Sequence, residues 1–186
     1  MNLPNKLTTA RVVMIPLFLL ALYGGYWLAG LVIFAMASVT DALDGNIARR
    51  RGLVTDFGKF MDPLADKLLV TSALISFVEL LNVPGWVVFL IIARELAVTG
   101  LRTIAAGKGI VMAADKWGKL KTVTQMVWIC YGLLMGCCFA RLTLSGAAAA
   151  GMHLAFRAGM VVVLCTTLFS GWNYLWNNRS LFSQMK

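Results

Sequence analysis

Apolar residues run through this chain in six long blocks separated by short polar interruptions, at roughly 7 to 27, 30 to 49, 63 to 81, 85 to 106, 118 to 139 and 156 to 176. Each block is close to the ~20 residues of helix that cross a bilayer core. A backbone away from water must satisfy its hydrogen bonds within its own segment, so helix is the expected form. The pattern predicts an all-α integral membrane protein with six transmembrane helices, and residues 1–186 read as one domain. Met1 to Pro4 reads as a short interfacial lead, with Asn5 capping a helix that starts near Lys6. The first block is too long for a signal-peptide core, carries Arg11 and lacks a small-residue cleavage pattern, so it reads as a retained span.

Composition agrees. The chain is 60% hydrophobic and 13% charged, against about 45–50% and about 25% for a soluble domain. If the N-terminus is cytoplasmic, all but Arg141 and Arg157 of the 17 basic residues fall on the cytoplasmic side. That bias predicts that both termini are cytoplasmic. The net charge of +9 then reads as topology and attraction to anionic headgroups, not as nucleic-acid binding. Trp27, Trp86, Trp117, Trp172 and Trp176 lie near block ends and read as interfacial anchors. Cys130, Cys137, Cys138 and Cys165 lie within the last two blocks without metal-ligand spacing and read as packing residues. His153 follows the Ala/Gly-rich connection Gly146 to Gly151 and reads as a loop residue, and Asp115 reads as a helix cap.

Five of the eight acidic residues, Asp41, Asp44, Asp56, Asp62 and Asp66, crowd one stretch between two apolar blocks. Charge at membrane depth is costly and marks function. Asp41 and Asp44 are spaced i, i+3, and Asp62 and Asp66 are spaced i, i+4, so each pair shares a helix face. Two helices joined by a short turn would gather four carboxylates, and hard divalent cations such as Mg²⁺ or Mn²⁺ relieve their repulsion. Gly45, Ala48 and Gly58 leave room for a flat ligand or a close helix contact, and Arg49 offers a planar fork for phosphate. Together these residues describe a seat for a nucleotide diphosphate. Asp62 before Pro63 also fits a helix N-cap followed by Pro at the first helical position. Asp56 reads as a turn residue and Arg50 as a topology signal.

The string D-x-x-D-G-x-x-A-R, eight residues, then G-x-x-x-D-x-x-x-D resembles, without a gap from Asp41 through Asp66, the signature of the CDP-alcohol phosphotransferase family. N-L-P-N-K-L-T-T-A-R at the start and A-R-E-L-A-V-T-G-L-R from Ala93 to Arg102 resemble its bacterial branch that makes phosphatidylglycerophosphate. The resemblance implies six spans in the bacterial cytoplasmic membrane, an active site facing the cytoplasm and a homodimer. It implies two divalent metal ions, Mg²⁺ or Mn²⁺, held by Asp41, Asp44 and Asp62 with Asp66 nearby as the base on the acceptor hydroxyl. Gly45, Ala48, Arg49 and Gly58 would seat the CDP part of CDP-diacylglycerol. Thr8 and Arg11, one turn apart, would either reach a phosphate of that lipid or serve the helix itself.

The acceptor depends on other residues. Arg94, Arg102, Lys119 and Lys121, with Lys116, flank the connection between the fourth and fifth blocks and suit a phosphate dianion such as sn-glycerol 3-phosphate. Arg94 and Glu95 interrupt an apolar run and are expected to neutralise each other. An inositol phosphate or phosphatidylglycerol is the rival acceptor. A divalent-cation transporter is the rival class, but it would carry aspartates approachable from both sides, and here they lie beside Arg49 to Arg51. A membrane prenyltransferase would carry two separated aspartate-rich segments, and this chain has one.

Overall fold

The computed structural model describes residues 3–51, 56–107, 115–177 and 179, with side chains for 9–40, 64–65, 67–107, 115–177 and 179. Its elements are α1 (Leu3–Tyr23), α2 (Trp27–Arg51), α3 (Asp56–Leu80), α4 (Gly85–Gly107), α5 (Lys116–Arg141) and α6 (Gly146–Asn177). Among the described residues there is no strand. The helices α5 and α6 are long and apolar enough to cross a membrane.

Each apolar block became one helix, with three boundary differences that have local causes. The first helix starts at Leu3, so the segment from Leu3 belongs to α1 rather than to a separate lead. The third starts at Asp56, which puts Asp62 and Pro63 inside it and removes the reading of Asp62 as N-cap. The sixth starts at Gly146, ten residues ahead of the expected 156. There the amide of Ala148 donates to Ser145 Oγ at 3.3 Å, an N-cap that the alanine-rich first turn then extends. His153 is therefore an exposed helical residue, not a loop residue.

The chain forms two compact units, Met1–Asn82 with Gly132–Leu144, and Val83–Tyr131 with Ser145–Lys186. In the first, α1 packs on both α2 and α3, and α2 touches α3. Phe18 and Phe34 are fully buried with ring centroids 5.8 Å apart. Ala37, Ala65 and Ala73 are fully buried, and small side chains let helices approach closely where apolar surroundings give little net hydrophobic drive. The turn from α1 to α2 is a Schellman closure. The Tyr26 amide donates to the Ala21 carbonyl at 2.8 Å and the Gly25 amide to Leu22 at 3.0 Å, with Gly25 at φ 78°. Glycine takes that φ without steric cost.

In the second unit α4 packs on α6, and polar ties join α5 to α6. Trp128 Nε1 donates to the Phe156 carbonyl at 3.0 Å, the Tyr131 hydroxyl donates to Met152 at 3.1 Å, and the Thr124 and Thr166 hydroxyls lie 3.1 Å apart. Outward, large apolar side chains are bare: Leu154 is 70% exposed and Phe89 67%. A water-soluble surface rarely shows so much, and a lipid-facing one does. Trp86, Trp117, Trp172 and Trp176 are exposed, as anchors would be, whereas Trp27 is half-buried.

Trp27 lies flat against Gly136, and a Cβ at Gly136 would fall inside the space its ring occupies. A ring that stiff cannot yield cheaply. Gly136→Ala is expected to lower the thermal midpoint in detergent, by the equivalent of about 1–3 kcal/mol. Adding Trp27→Leu should recover most of the loss, as differential scanning fluorimetry of the single and double variants will report.

Candidate active site

The acidic motif divides between two helices of the first unit. Asp41, Asp44, Gly45, Ala48 and Arg49 lie in the C-terminal half of α2, and Gly58, Asp62 and Asp66 in the N-terminal half of α3. Residues 52–55, between the two helices, lie outside the described residues. Because α2 ends where α3 begins and the two helices touch, the backbone carries both halves of the motif at one end of this unit. Gly58, Asp62 and Asp66 repeat every four residues, and Asp41, Asp44, Gly45 and Ala48 fall at three- and four-residue steps, so each set occupies one helix face. The side chains of all these residues, and of Thr8, lie outside the described ones. Among the described residues no group of three or more His, Cys, Asp or Glu is placed to hold a metal. Asp56 begins α3 and does not sit in a turn. Arg11, one turn from Thr8, is buried in α1 at 1% exposure.

The basic candidates belong to the second unit, and the structure sorts them. Arg94 on α4 is half-buried, its stem crossing Gly171 and its guanidinium passing beside Gly118. A Cβ at Gly171 would lie a tight 3.1 Å from Arg94 Cγ, so that glycine leaves room for the stem, whereas one at Gly118 would meet the terminal nitrogen at an ordinary 3.7 Å. Its Nε has no hydrogen-bond partner. Lys121 on α5 is buried at 1% and forms an ion pair with Glu95. The ion pair of Glu95 is thus with Lys121, while Arg94 feels the Glu95 charge without that direct contact. Adjacent residues on a helix do not face each other, and the lysine across the helix boundary reaches the carboxylate instead.

Arg102 lies exposed with its guanidinium carbon 5.8 Å from the centre of the Tyr174 ring, a cation–π contact. Lys119 is exposed, on another side of α5 from Lys121, as is Lys116. Thus Arg94 and Lys121 share the interior of this unit, Arg102 lies against Tyr174, and Lys119 faces outward. Asp115 immediately precedes α5, where the Lys119 amide donates to its carbonyl at 3.2 Å. Its carboxylate accepts from Asn173 Nδ2 at 2.6 Å, tying the start of α5 to α6.

Sequence reasoning missed Gln125, buried at 2%, and the two glycines flanking Arg94. A signal was available in the spacing Gly118, Lys121, Gln125, which repeats at three and four residues and marks one face of α5.

Removing one member of a buried ion pair strands the other charge. Lys121→Met alone is expected to destabilise the protein by roughly 3 kcal/mol, with Lys121→Met/Glu95→Leu recovering much of that in thermal denaturation.

The sequence profile of the family described as CDP-alcohol phosphatidyltransferase matches residues 1–172. The chain is 42% identical over 192 aligned positions to the CDP-diacylglycerol–glycerol-3-phosphate 3-phosphatidyltransferase of Bacillus subtilis, covering 95% of both chains. It is 44% identical over 128 positions to the protein of that name from Rickettsia felis, covering 67% of this chain and 71% of the relative. Against the Pseudomonas fluorescens protein of that name it is 41% identical over 138 positions, covering 68% and 69%.

Proposed function

The chain belongs to the CDP-alcohol phosphatidyltransferase family, and from that premise we propose that it transfers a phosphatidyl group from CDP-diacylglycerol to sn-glycerol 3-phosphate. The products are phosphatidylglycerophosphate and CMP. The observation that carries this reading is near full-length likeness to a relative of that name, 42% identical across 95% of both chains. The acidic motif, its two halves at one end of α2 and α3, supports it.

Residues 1–186 act as one catalytic domain in the bacterial cytoplasmic membrane, as a homodimer, with six spans and both termini and the motif on the cytoplasmic face. The donor set of Asp41, Asp44, Asp62 and Asp66 is all carboxylate and suits two Mg²⁺ or Mn²⁺ ions. When bound, such ions neutralise charge on the diphosphate and on departing CMP. Arg49 adds a fork for a phosphate oxygen, and Gly45, Ala48 and Gly58 leave space for the CDP group beside the helix backbone. Thr8 contributes a hydroxyl to that lipid's phosphate.

Asp66 accepts the proton of the acceptor hydroxyl as its oxygen bonds to the lipid-bearing phosphorus. The phosphoanhydride bond breaks and CMP leaves with the electron pair. The residues otherwise position the reactants, which supplies much of the rate in phosphoryl transfer. Arg94 and Lys121 hold the acceptor's phosphate, and Arg102 and Lys119 add to its electrostatic attraction. Lys121 keeps Glu95 while doing so, because an ammonium has three donors.

Purified protein with CDP-diacylglycerol, Mg²⁺ or Mn²⁺ and a panel of acceptors is expected to release CMP with sn-glycerol 3-phosphate. Release only with an inositol phosphate or phosphatidylglycerol would reassign the acceptor. Chelation by EDTA should abolish turnover, and added metal should restore it. Asp66→Asn is expected to stop transfer while largely keeping CDP-lipid binding, but Asp41→Asn and Asp62→Asn should weaken metal-dependent binding as well. Equal binding loss in all three variants would contradict this division of roles.

A further inference from the structure

Gln125 is 2% exposed, and neither its Nε2 nor its Oε1 has a hydrogen-bond partner. Thr167 on α6 is fully buried, and its Oγ1 is likewise without a partner. Buried polar groups in native proteins are nearly always satisfied, so an amide orphaned at both ends needs a reason. Leucine would fill similar space on α5 without the desolvation penalty.

Their surroundings indicate the reason. The Thr124 and Thr166 hydroxyls meet at 3.1 Å across α5 and α6, which puts their chain neighbours Gln125 and Thr167 at adjoining levels of that pair. Lys121 is one turn before Gln125 on the same buried face, and Arg94 passes beside Gly118, one turn earlier still. Along one face of α5 thus come a guanidinium reaching over from α4, an ammonium and an amide in succession. Past Gln125 the interior turns apolar, with Ile129, Val163, Trp128 and Phe156 all buried. The polar run is closed at its inner end by a group that can both donate and accept.

A secondary hydroxyl complements that group, since it too donates and accepts. Four residues of helix rise about 6 Å, which suits an acceptor whose phosphate lies at Lys121 and whose C2 oxygen lies at Gln125. We propose that Gln125, assisted by Thr167, determines acceptor specificity by holding the secondary hydroxyl of a glycerol phosphate. This rests on the acceptor reading given above, in which Arg94 and Lys121 hold the phosphate.

The test compares sn-glycerol 3-phosphate with 3-hydroxypropyl phosphate, which keeps the phosphate and the attacking primary hydroxyl but lacks the secondary one. Wild-type protein is expected to favour the first by roughly 10- to 100-fold in kcat/KM, the effect of leaving a buried partner unpaired. Gln125→Leu should reduce that preference to about threefold or less by losing only the hydroxyl-bearing acceptor, and should raise the thermal midpoint of acceptor-free protein. Thr167→Val, nearly isosteric, should lower the preference in smaller measure and provides the same readout independently. A Gln125→Leu and a Thr167→Val enzyme that both keep the wild-type ratio would overturn the inference while leaving the proposed function standing. A wild-type enzyme that releases no CMP with either phosphate would overturn the acceptor reading, and this inference with it.

Discussion

A charge between apolar helices persists only where something compensates it, and the pair of Lys121 with Glu95 is the compensation on which the second unit is arranged. The pair joins α4 to α5. Arg94 runs over Gly171, which leaves room for its stem, and its guanidinium passes beside Gly118. Asp115, tied to Asn173, fixes the start of α5 against α6. Among the described residues of this unit, Arg94 Nε, the Gln125 amide and the Thr167 hydroxyl are the buried side-chain groups without a hydrogen-bond partner. The outward faces, carrying Phe89, Leu154 and Trp172, hold no such compromise because lipid asks nothing of them.

The first unit meets the same constraint by a different route. Apart from the buried Arg11 and Ser76, its described interior is apolar, with alanines and Gly30 where helices cross and Phe18 against Phe34. A Cβ at Gly30 would lie 2.6 Å from Leu22 Cδ2. The ionisable motif is confined to the end where α2 finishes and α3 starts. Carboxylates brought close to one another repel, and the divalent ions proposed above would relieve that repulsion.

Helix number and order were legible because each apolar block is long enough to make a helix of its own, and the six blocks became six helices among the described residues. The ends were less legible, since they depend on caps. Ser145 ahead of four alanines is a cap and a strong helix start, yet the flanking glycines read as a loop. The motif was legible because its spacing is itself a statement about helix faces, and that statement needs only the backbone. The partner of Glu95 was not, because Arg94 is its neighbour in sequence while Lys121 is its neighbour in space. For Gln125 the spacing with Gly118 and Lys121 marks a shared face of α5, but whether its amide is satisfied is a property of the surrounding helices that spacing does not carry.

That contrast bears on how one family can serve several alcohols. The donor half of the reaction uses the same diphosphate whatever the acceptor, so a rigid spacing of carboxylates and small residues can serve it unchanged. The acceptor half must tell one alcohol from another, and an apolar pocket discriminates poorly between molecules that differ by a hydroxyl. Discrimination comes from buried polar groups left unsatisfied by the wrong ligand. Such groups destabilise the empty protein, so few can be kept, and they must lie where the scaffold already tolerates charge. The Lys121 and Arg94 neighbourhood in the second unit is such a place, and Gln125 is the group there whose retention stability alone does not explain.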